Sequence, residues 1–272
     1  MKTPITYYGG KQQLAETIVR LIPPHNIYVE PFIGGAAVYF AKPASEVEVI
    51  NDINGEVVNF YKVIKNDFAA LQKLLEQTLH SRKAHRHARV VYENPDMFSR
   101  VKRAWALWVR ANMSFGGDMT GGYGYDVSGR MSGKLANKIE AFTQTLADRF
   151  RTTQIECCDA LRIIQSRDTP DTFFYLDPPY PDTDQGHYDG YSSADFTALL
   201  DVLTGIQGKF LLSSFRHESL KEQTEKNNWS QFEITMNKSM SLHGKQTLQK
   251  IEVFTANYSI EKEGFGLLSL FD

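Results

Sequence analysis

The sequence is poor in cysteine: the two cysteines among its 272 residues are neighbours, Cys157 and Cys158. A disulfide between adjacent residues is strained, so we predict free thiols and a reducing, cytoplasmic location. No cysteine–histidine spacing typical of a zinc site occurs, and we predict no metal. No apolar run approaches the roughly 18 residues of a membrane helix, and the amino terminus lacks a signal-peptide hydrophobic region. These absences exclude disulfide scaffolds, zinc modules and membrane proteins.

Neither sign of charge dominates the whole chain, whose formal net charge is −2. The segment 80–110, however, holds eight of the 30 Lys and Arg residues against two of the 32 Asp and Glu residues. Its balance is therefore +6, and the remainder of the chain stands at −8. A concentrated basic patch is typical of a polyanion-binding surface, although a solvated helix face would have the same composition.

A further absence is the Gly-x-Gly-x-x-Gly fingerprint of dinucleotide-binding folds. In its place, residues 27–40 read as a strand, a loop with Gly34 and Gly35, and a helix of small residues. This order is typical of the nucleoside-binding turn of doubly wound sheets. Glu30 at the strand end would repel a diphosphate but suits a cationic ligand. The pattern therefore disfavours the alternative of a nicotinamide-dependent oxidoreductase.

Two further acids follow predicted strands. Asp52 stands 22 residues after Glu30, where an acid accepts hydrogen bonds from both ribose hydroxyls in nucleoside-binding folds. The alternative is that Asp52 or Asn54 caps the next helix. Asp159 follows a third predicted strand, where it would either contact a purine edge or cap a helix.

The most informative stretch is Phe173–Tyr180, an aromatic run followed by Asp177, two prolines and Tyr180. Prolines fix φ near −65° and remove backbone donors, so we predict a rigid loop behind a buried strand. Ligands bind at that edge of open α/β sheets. The Asp177 carboxylate and the Pro178 carbonyl can each accept a hydrogen from an exocyclic amino group, while the Tyr180 ring stacks on the base. The alternative is an ordinary surface turn.

Between these motifs the chain is predicted to be helical over 67–110, which is extra in a βαβα succession and indicates an insertion. The stretch 112–130 contains six glycines and several aromatic residues. We interpret it as a flexible hairpin or loop that reaches into a groove, with Tyr123, Tyr125 and Arg130 at its surface. A mobile loop without a partner is the alternative.

The remaining segments complete an alternating α/β order. Gly9, Gly10 and Lys11 precede a helix; paired glycines allow close approach to a ligand, although such a turn is a weak signal. The other predicted elements are helices over 13–21, 56–64, 136–150 and 196–203 and strands over 209–214, 232–236 and 250–257.

Together, the glycine loop with Lys11, the Glu-Pro-Phe-x-Gly turn at Glu30, the acid Asp52 and the Asp-Pro-Pro-Tyr sequence resemble the Dam-like adenine-N6 DNA methyltransferases. The resemblance covers about residues 5–258 and includes the motif order. It implies an α/β fold: a doubly wound, Rossmann-like methyltransferase sheet with an inserted, mainly helical target-recognition subdomain. The implied boundaries are 1–65 and 145–272 for the catalytic domain and 66–144 for the insertion.

The resemblance also implies a reaction and its residues. The reaction is site-specific methyl transfer from S-adenosylmethionine to the exocyclic amino group of an adenine flipped from double-stranded DNA. The implied catalytic residues are Asp177, Pro178, Pro179 and Tyr180. The implied cofactor-binding residues are Tyr7, Lys11, Asp52 and Asp177. From their places in the sequence we predict Glu30, Phe32, Gly34, Ile53 and Asp159 as further cofactor-binding residues. From the basic segments and the glycine-rich stretch we predict the DNA-binding residues Arg110, Asn112, Ser114, Tyr123, Arg130, Lys238, His243 and Lys245.

One departure from the family pattern concerns recognition. The family's Asn-Arg…Gly-Tyr/Phe-Asn pattern becomes 112–117, Asn-Met-Ser-Phe-Gly-Gly, so the resemblance does not predict a GATC target. It implies a bacterial or phage-encoded, nucleoid-associated protein that acts as a monomer or weak dimer on DNA, with or without a cognate restriction enzyme. Two alternatives stay open: a cytosine-amino methyltransferase, which usually has Ser in place of Asp177, and a non-catalytic DNA-binding module.

Overall fold

Seven strands form one sheet in the part of the chain that the computed structural model describes: residues 1–181, 191–238 and 248–260, with only the backbone at 236–238 and 248–250. The strands are β1 (Ile27–Glu30), β2 (Val47–Asn51), β3 (Gln154–Glu156), β4 (Thr172–Leu176), β5 (Lys209–Ser214), β6 (Ser230–Lys238) and β7 (Leu248–Ala256). Their order is β3-β2-β1-β4-β5-β7-β6; the first five are parallel, and β7 is antiparallel to both its neighbours. The predicted doubly wound α/β sheet is confirmed.

Helices connect the parallel strands. They are α1 (Ala15–Leu21), α2 (Ala37–Ala41), α3 (Gly55–Asn66), α4 (Phe68–Glu76), α5 (Arg82–Glu93), α6 (Arg100–Met113), α7 (Arg130–Glu140), α8 (Gln144–Arg149), α9 (Ala160–Ser166), α10 (Ser193–Thr204) and α11 (Glu218–Asn227). Most predicted helices and strands are found within a few residues of their predicted ends. Among the described residues, no helix has the length and apolar character needed to cross a membrane.

The strand β4 is buried along its whole length, as its aromatic sequence predicts. Successive side chains of a strand point to opposite faces of the sheet. Accordingly, Phe173 and Tyr175 pack in one hydrophobic cluster, and Phe174 and Leu176 pack in a second cluster on the other face. Helices cover both faces, which explains why β4 is a continuous apolar run rather than an alternating one.

The inserted helices α4–α7 lie between β2 and β3 in the chain. Helix α6 is buried on nearly every side and packs against α3, α4 and α5. Its Leu107 and Trp108 belong to the same hydrophobic cluster as Phe60 and Tyr61 of α3. The insertion thus shares its core with the sheet's own helices. The division at 65/66 and 144/145 stays a prediction.

The single helix predicted over 136–150 is wrong. The structure has two helices there, α7 and α8, separated by residues 141–143. Phe142 lies in this break and is 1% exposed, because its ring stacks on Phe68 at 5.1 Å between centroids. Burial of that ring against α4 outweighs helix continuity.

Candidate active site

The strand order reverses between β1 and β4, which are parallel neighbours. Ligands bind outside the carboxyl ends of the strands at such a switch point. Glu30 is the last residue of β1, and Asp177 directly follows β4. The topology therefore brings together the two acids that the sequence placed at strand ends.

Asp177 forms an ion pair with a buried lysine. The Nζ atom of Lys11 lies 2.6 Å from Oδ1 of Asp177 and donates to the hydroxyl of Tyr180 at 3.0 Å. The same ammonium lies 3.2 Å from Oε1 of Glu252, a fully buried carboxylate on β7. The Tyr180 hydroxyl donates in turn to Glu252. We call these four residues, Lys11, Asp177, Tyr180 and Glu252, the catalytic corner.

The charges of the catalytic corner depend on one another. Burial alone lowers the pKa of Lys11, but the carboxylates of Asp177 and Glu252 outweigh it and raise the pKa above its usual value. Burial, followed by the same two carboxylates, raises the pKa of the Tyr180 hydroxyl. Lys11 is therefore a cation and Tyr180 is neutral at physiological pH.

The Tyr180 ring is held on one face. It stacks on Phe215 with 3.8 Å between centroids and 27° between planes, and it is 6% exposed. A nucleobase can therefore stack only against the opposite face of the ring.

Glycines bring Tyr7 against the turn after β1. A Cβ atom at Gly35 would lie 2.7 Å from Cβ of Tyr7, and one at Gly34 would lie 3.1 Å from the Tyr7 ring. Gly34 also has φ +42°, a left-handed conformation that side chains disfavour. The Gly34 carbonyl accepts a hydrogen bond from Tyr61 at 2.6 Å. These contacts fix an aromatic wall beside the turn.

Asp52 and Asn54 have different roles. Asn54 caps α3, because its side chain accepts from the N–H groups of Glu56 and Val57. Asp52 accepts from the N–H of Gly34 at 3.0 Å and from that of Asn54 at 2.9 Å, and it is 3% exposed. Burial raises the pKa of Asp52 to about 6, so the group is largely ionised at pH 7.

Glu30 is buried at the end of β1 and accepts a 2.6 Å hydrogen bond from the Tyr28 hydroxyl. Burial raises the pKa of Glu30 to about 8, and the nearby Asp177 adds to the effect. Glu30 is therefore mostly protonated at pH 7. A cation bound beside it would favour the ionised form.

Asp159 is exposed and caps α9, since its Oδ1 accepts from the N–H groups of Leu161 and Arg162. The capping alternative is thus confirmed, while the purine contact stays a prediction. Ile53, which lies just after the neighbouring strand β2, is 67% exposed. Phe32 is half-buried and meets the edge of the Tyr191 ring at 6.4 Å between centroids.

One cleft extends from the loop Asp177–Tyr180 to the turn after β1. Its walls include Tyr7, Lys11, Glu30, Phe32, Gly34, Asp177, Pro178, Pro179 and Tyr180. Aromatic rings and carboxyl groups of this kind suit a cationic sulfonium. The residues present therefore fit S-adenosylmethionine.

A family model described as D12 class N6 adenine-specific DNA methyltransferase matches residues 7–220. This protein belongs to that family. The type II methyltransferase M1.LlaDCHI of Lactococcus lactis subsp. cremoris is 28% identical to this D12 methyltransferase and aligns over 92% of this chain and 93% of its own. M.MjaIII of Methanocaldococcus jannaschii is also 28% identical, over 72% of this chain and 75% of its own.

A longer relative is the DNA N-6-adenine-methyltransferase of Escherichia phage P1. It is 28% identical over 69% of this chain, which corresponds to 25% of the phage protein. The predicted Dam-like family, the methyltransferase class and the DNA substrate are confirmed.

The glycine-rich segment of this D12 methyltransferase, residues 114–129, forms a loop with a short helical turn, Phe115–Gly117, and one bridge between Ser114 and Tyr123. We call it the recognition loop. Gly116 and Gly117 have φ +69° and +74°, which explains the glycines at this turn. Three apolar side chains of the loop are exposed: Phe115 at 68%, Tyr125 at 63% and Val127 completely.

Arg110, which the sequence predicts to contact DNA, is buried in the structure. Its side chain is 2% exposed, and its guanidinium donates to the carbonyls of Met119 at 2.6 Å and Gly121 at 3.0 Å. His85 lies beneath it, with Nε2 2.8 Å from the guanidinium. Burial, and then the Arg110 charge, lower the pKa of His85 to about 4, so the ring is neutral. Arg110 thus holds the recognition loop from below and does not face solvent.

Ser114, the first residue of the loop, is also buried, and its hydroxyl lies 2.9 Å from His85 Nε2, so its side chain faces the protein interior. Asn112 is half-buried and accepts from the N–H and the hydroxyl of Thr6. Tyr123 bonds His80 through its hydroxyl at 2.8 Å, whereas Arg130 is exposed. Of the remaining predicted DNA contacts, the Lys238 side chain, His243 and Lys245 lie outside the described residues.

Sequence reasoning missed three contributors. Glu252 stands in the catalytic corner; its only signal is one acid inside an apolar strand. Phe215 supports Tyr180, but it stands one residue beyond β5 with no pattern to mark it. Arg82 lies over the ring of Tyr125 at 4.5 Å, yet it resembled the other basic residues of α5.

Proposed function

We propose that this protein transfers a methyl group from S-adenosylmethionine to N6 of an adenine turned out of duplex DNA. The observation that carries the proposal is the position of Asp177, at the switch point and in one cleft with Tyr7, Glu30 and Gly34. The family assignment supports the same reaction.

On the cofactor side, Tyr7, Phe32 and Gly34 would hold the methionine portion, and Asp52 the ribose. When bound, S-adenosylmethionine supplies an activated methyl group on a sulfonium. The rings of Tyr7 and Phe32 stabilise a cation by about 0.5–2 kcal/mol each. The buried carboxyl of Glu30 can add a negative charge when it ionises. Ile53 and Asp159, at the neighbouring strand ends, would border the adenine ring.

On the base side, the Asp177 carboxylate and the Pro178 carbonyl would accept the two hydrogens of the amino group. The amino nitrogen of adenine is a poor nucleophile because its lone pair is delocalised into the ring. Two acceptors favour a pyramidal nitrogen whose lone pair points towards the methyl group. Orientation then supplies most of the rate, since effective molarities of about 10⁵ M or more are available from fixed geometry.

The Tyr180 ring would stack on the extruded adenine with its face opposite Phe215. Extrusion costs a few kcal/mol, and stacking returns about 1–3 kcal/mol. The rigid Pro178–Pro179 backbone keeps the acceptors and the stacking ring in register.

On the DNA side, the recognition loop and the basic helix α5 would contact the duplex, with Asn112, Tyr123, Arg130 and the segment of Lys238, His243 and Lys245 as contacts. Arg82 and Lys83 carry positive charge next to the loop. We further propose that the enzyme works in the cytoplasm, on nucleoid DNA, as a monomer or weak dimer. A cognate restriction enzyme is an open alternative.

The decisive experiment is to treat unmethylated DNA with the purified protein and labelled S-adenosylmethionine. Digestion to nucleosides and mass spectrometry should show N6-methyladenine, and base-resolution sequencing should show one recurring site. N4-methylcytosine as the product would instead identify a cytosine-amino methyltransferase. Absence of label in DNA would reject the proposal.

A further inference from the structure

Glu252 is an ionisable group of the catalytic corner that the proposed methyl transfer does not use. It lies on β7, is fully buried and has apolar strand neighbours, Val253 and Phe254. Burying a carboxylate costs several kcal/mol, and apolar replacements of buried ion pairs are often neutral or stabilising. Fold stability alone therefore gives no reason for an acid at this position.

Three contacts of Glu252 converge on one oxygen. Its Oε1 accepts hydrogen bonds from the Tyr180 hydroxyl and, at 2.7 Å, from the Ser213 hydroxyl. The same oxygen lies 3.2 Å from the Lys11 ammonium. Glu252 thus fixes both the ammonium that pairs with Asp177 and the hydroxyl of the stacking ring.

The charge balance suggests why two carboxylates share one lysine. The Lys11 ammonium is 2.6 Å from the Asp177 carboxylate. If Asp177 were its only anionic partner, the ammonium would compete with the target amino group for that carboxylate. A second anion beside Lys11 offsets this cation, so the three charged groups together keep one net negative charge. Asp177 then stays a strong acceptor next to a cationic methyl donor.

We propose that Glu252 is a positioning residue for methyl transfer, which acts by holding Lys11 and the Tyr180 hydroxyl so that Asp177 remains available to the target amino group. The proposal rests on the function proposed above. The proposed role affects how strongly the Asp177 carboxylate accepts hydrogen bonds and how the corner is aligned. It does not affect affinity for DNA or for the methyl donor.

The test is Glu252→Gln, which has nearly the same shape, keeps an oxygen for Tyr180 and Ser213 and removes the charge. We expect kcat to fall at least about tenfold, a change of about 1.4 kcal/mol, with both KM values within about threefold. In S-adenosylhomocysteine complexes, 2-aminopurine at the target adenine should give a weaker flipped-base fluorescence signal, while DNA affinity by anisotropy stays unchanged.

The matched control is Glu48→Gln. Glu48 is also a buried acid on a sheet strand, and it pairs with Lys42 at 2.7 Å and with Arg149, away from the cleft. Both variants should unfold at a lower temperature, but Glu48→Gln should keep kcat within about twofold. Equal loss of kcat in both variants would show a merely structural role and overturn the proposal.

A second variant pair guards against misfolding. In the Lys11→Met background, Glu252→Gln should lower kcat by less than it does in the wild type, because the contact through the lysine is already lost and only the one with the Tyr180 hydroxyl remains. Undiminished kcat in the single Glu252→Gln variant, or full additivity with Lys11→Met, would reject the inference. A wrong base assignment would instead appear with the wild-type enzyme, as a different methylated nucleoside, and leaves the kcat comparison valid.

Discussion

The catalytic corner and the recognition loop are held in place by different kinds of contact. In the corner, side chains interact with one another: the Lys11 ammonium forms ion pairs with Asp177 and Glu252 and donates a hydrogen bond to Tyr180, all within 3.2 Å. In the loop, a buried side chain bonds to backbone: Arg110 holds the carbonyls of Met119 and Gly121.

This difference matches the two tasks proposed for these regions, methyl transfer at the corner and DNA recognition at the loop. Methyl transfer needs reacting groups fixed to a fraction of an ångström, so the corner fixes its functional side chains directly. Recognition needs side chains that meet a varied surface, so the loop fixes its backbone and leaves Phe115, Tyr125 and Val127 exposed. Substitutions should therefore affect the chemical step in the first region and DNA recognition in the second.

The largest expected effect comes from Asp177→Ala. The variant loses one of the two amino-group acceptors, and kcat should fall by at least about 10³-fold, as for other preorganised polar groups. Lys11 keeps Glu252 as a partner, so folding and S-adenosylhomocysteine binding should largely survive. Asp171→Ala, an exposed acid at the other end of β4, is the matched control in kinetic assays. Wild-type turnover by Asp177→Ala would contradict the catalytic assignment.

Arg110→Met should lower kcat/KM for DNA by about 10–100-fold, because two loop carbonyls lose their donor and the loop loses its shape. The affinity for S-adenosylhomocysteine should stay unchanged. Measured DNA affinity should decline with salt at the wild-type slope, since a buried guanidinium neutralises no phosphate.

Arg130→Met supplies the contrast, because Arg130 is exposed and predicted to contact DNA. Removing one phosphate contact should reduce the slope of log affinity against log salt by about 0.9. If Arg110→Met also reduced the slope of log affinity against log salt, the result would support the direct DNA contact that the sequence predicts for Arg110.

The sequence predicted the corner better than the loop, for a physical reason. Glu30 ends one recognisable buried strand and Asp177 directly follows another, and sheet topology brings the ends of such strands together. The loop is held by His85 and Arg110, which lie on helices α5 and α6. The composition of these helices predicts only an amphipathic or basic surface. Burial of Arg110 depends on tertiary packing, which periodicity does not encode. Glu252 was missed in the same way, because the nearest of its three partners, Ser213, is 39 residues distant in sequence.

Glu30 provides a pH test of the electrostatics of the cleft beside the corner. With its pKa raised to about 8 by burial, Glu30 ionises as pH rises from 7 to 9, and the anion should attract a sulfonium. Affinity for S-adenosylmethionine should rise by up to about tenfold over that range relative to S-adenosylhomocysteine, whose sulfur is uncharged. Asp52, with a pKa of about 6, is already ionised there.

The control for this titration is Glu30→Gln, whose amide oxygen still accepts from Tyr28 but does not ionise. Calorimetry with both ligands at pH 7, 8 and 9 should show the same pH dependence for each. A pH-dependent affinity ratio that persists in Glu30→Gln would assign the titration to another group.

The smallest effect is expected at Asp159, outside both regions, where capping and ligand contact can be separated. Asn caps helices as well as Asp does, so Asp159→Asn should unfold like the wild type, whereas Asp159→Ala should lose about 1 kcal/mol. If the carboxylate also accepts from the purine amino group, both variants should bind S-adenosylmethionine about threefold more weakly, because a neutral acceptor is weaker than a charged one. Wild-type binding by Asp159→Asn would leave the cap as this residue's role. The buried acids Glu30 and Asp52, whose pKa values burial raises to about 8 and about 6, would then be set apart from an exposed acid that only caps a helix.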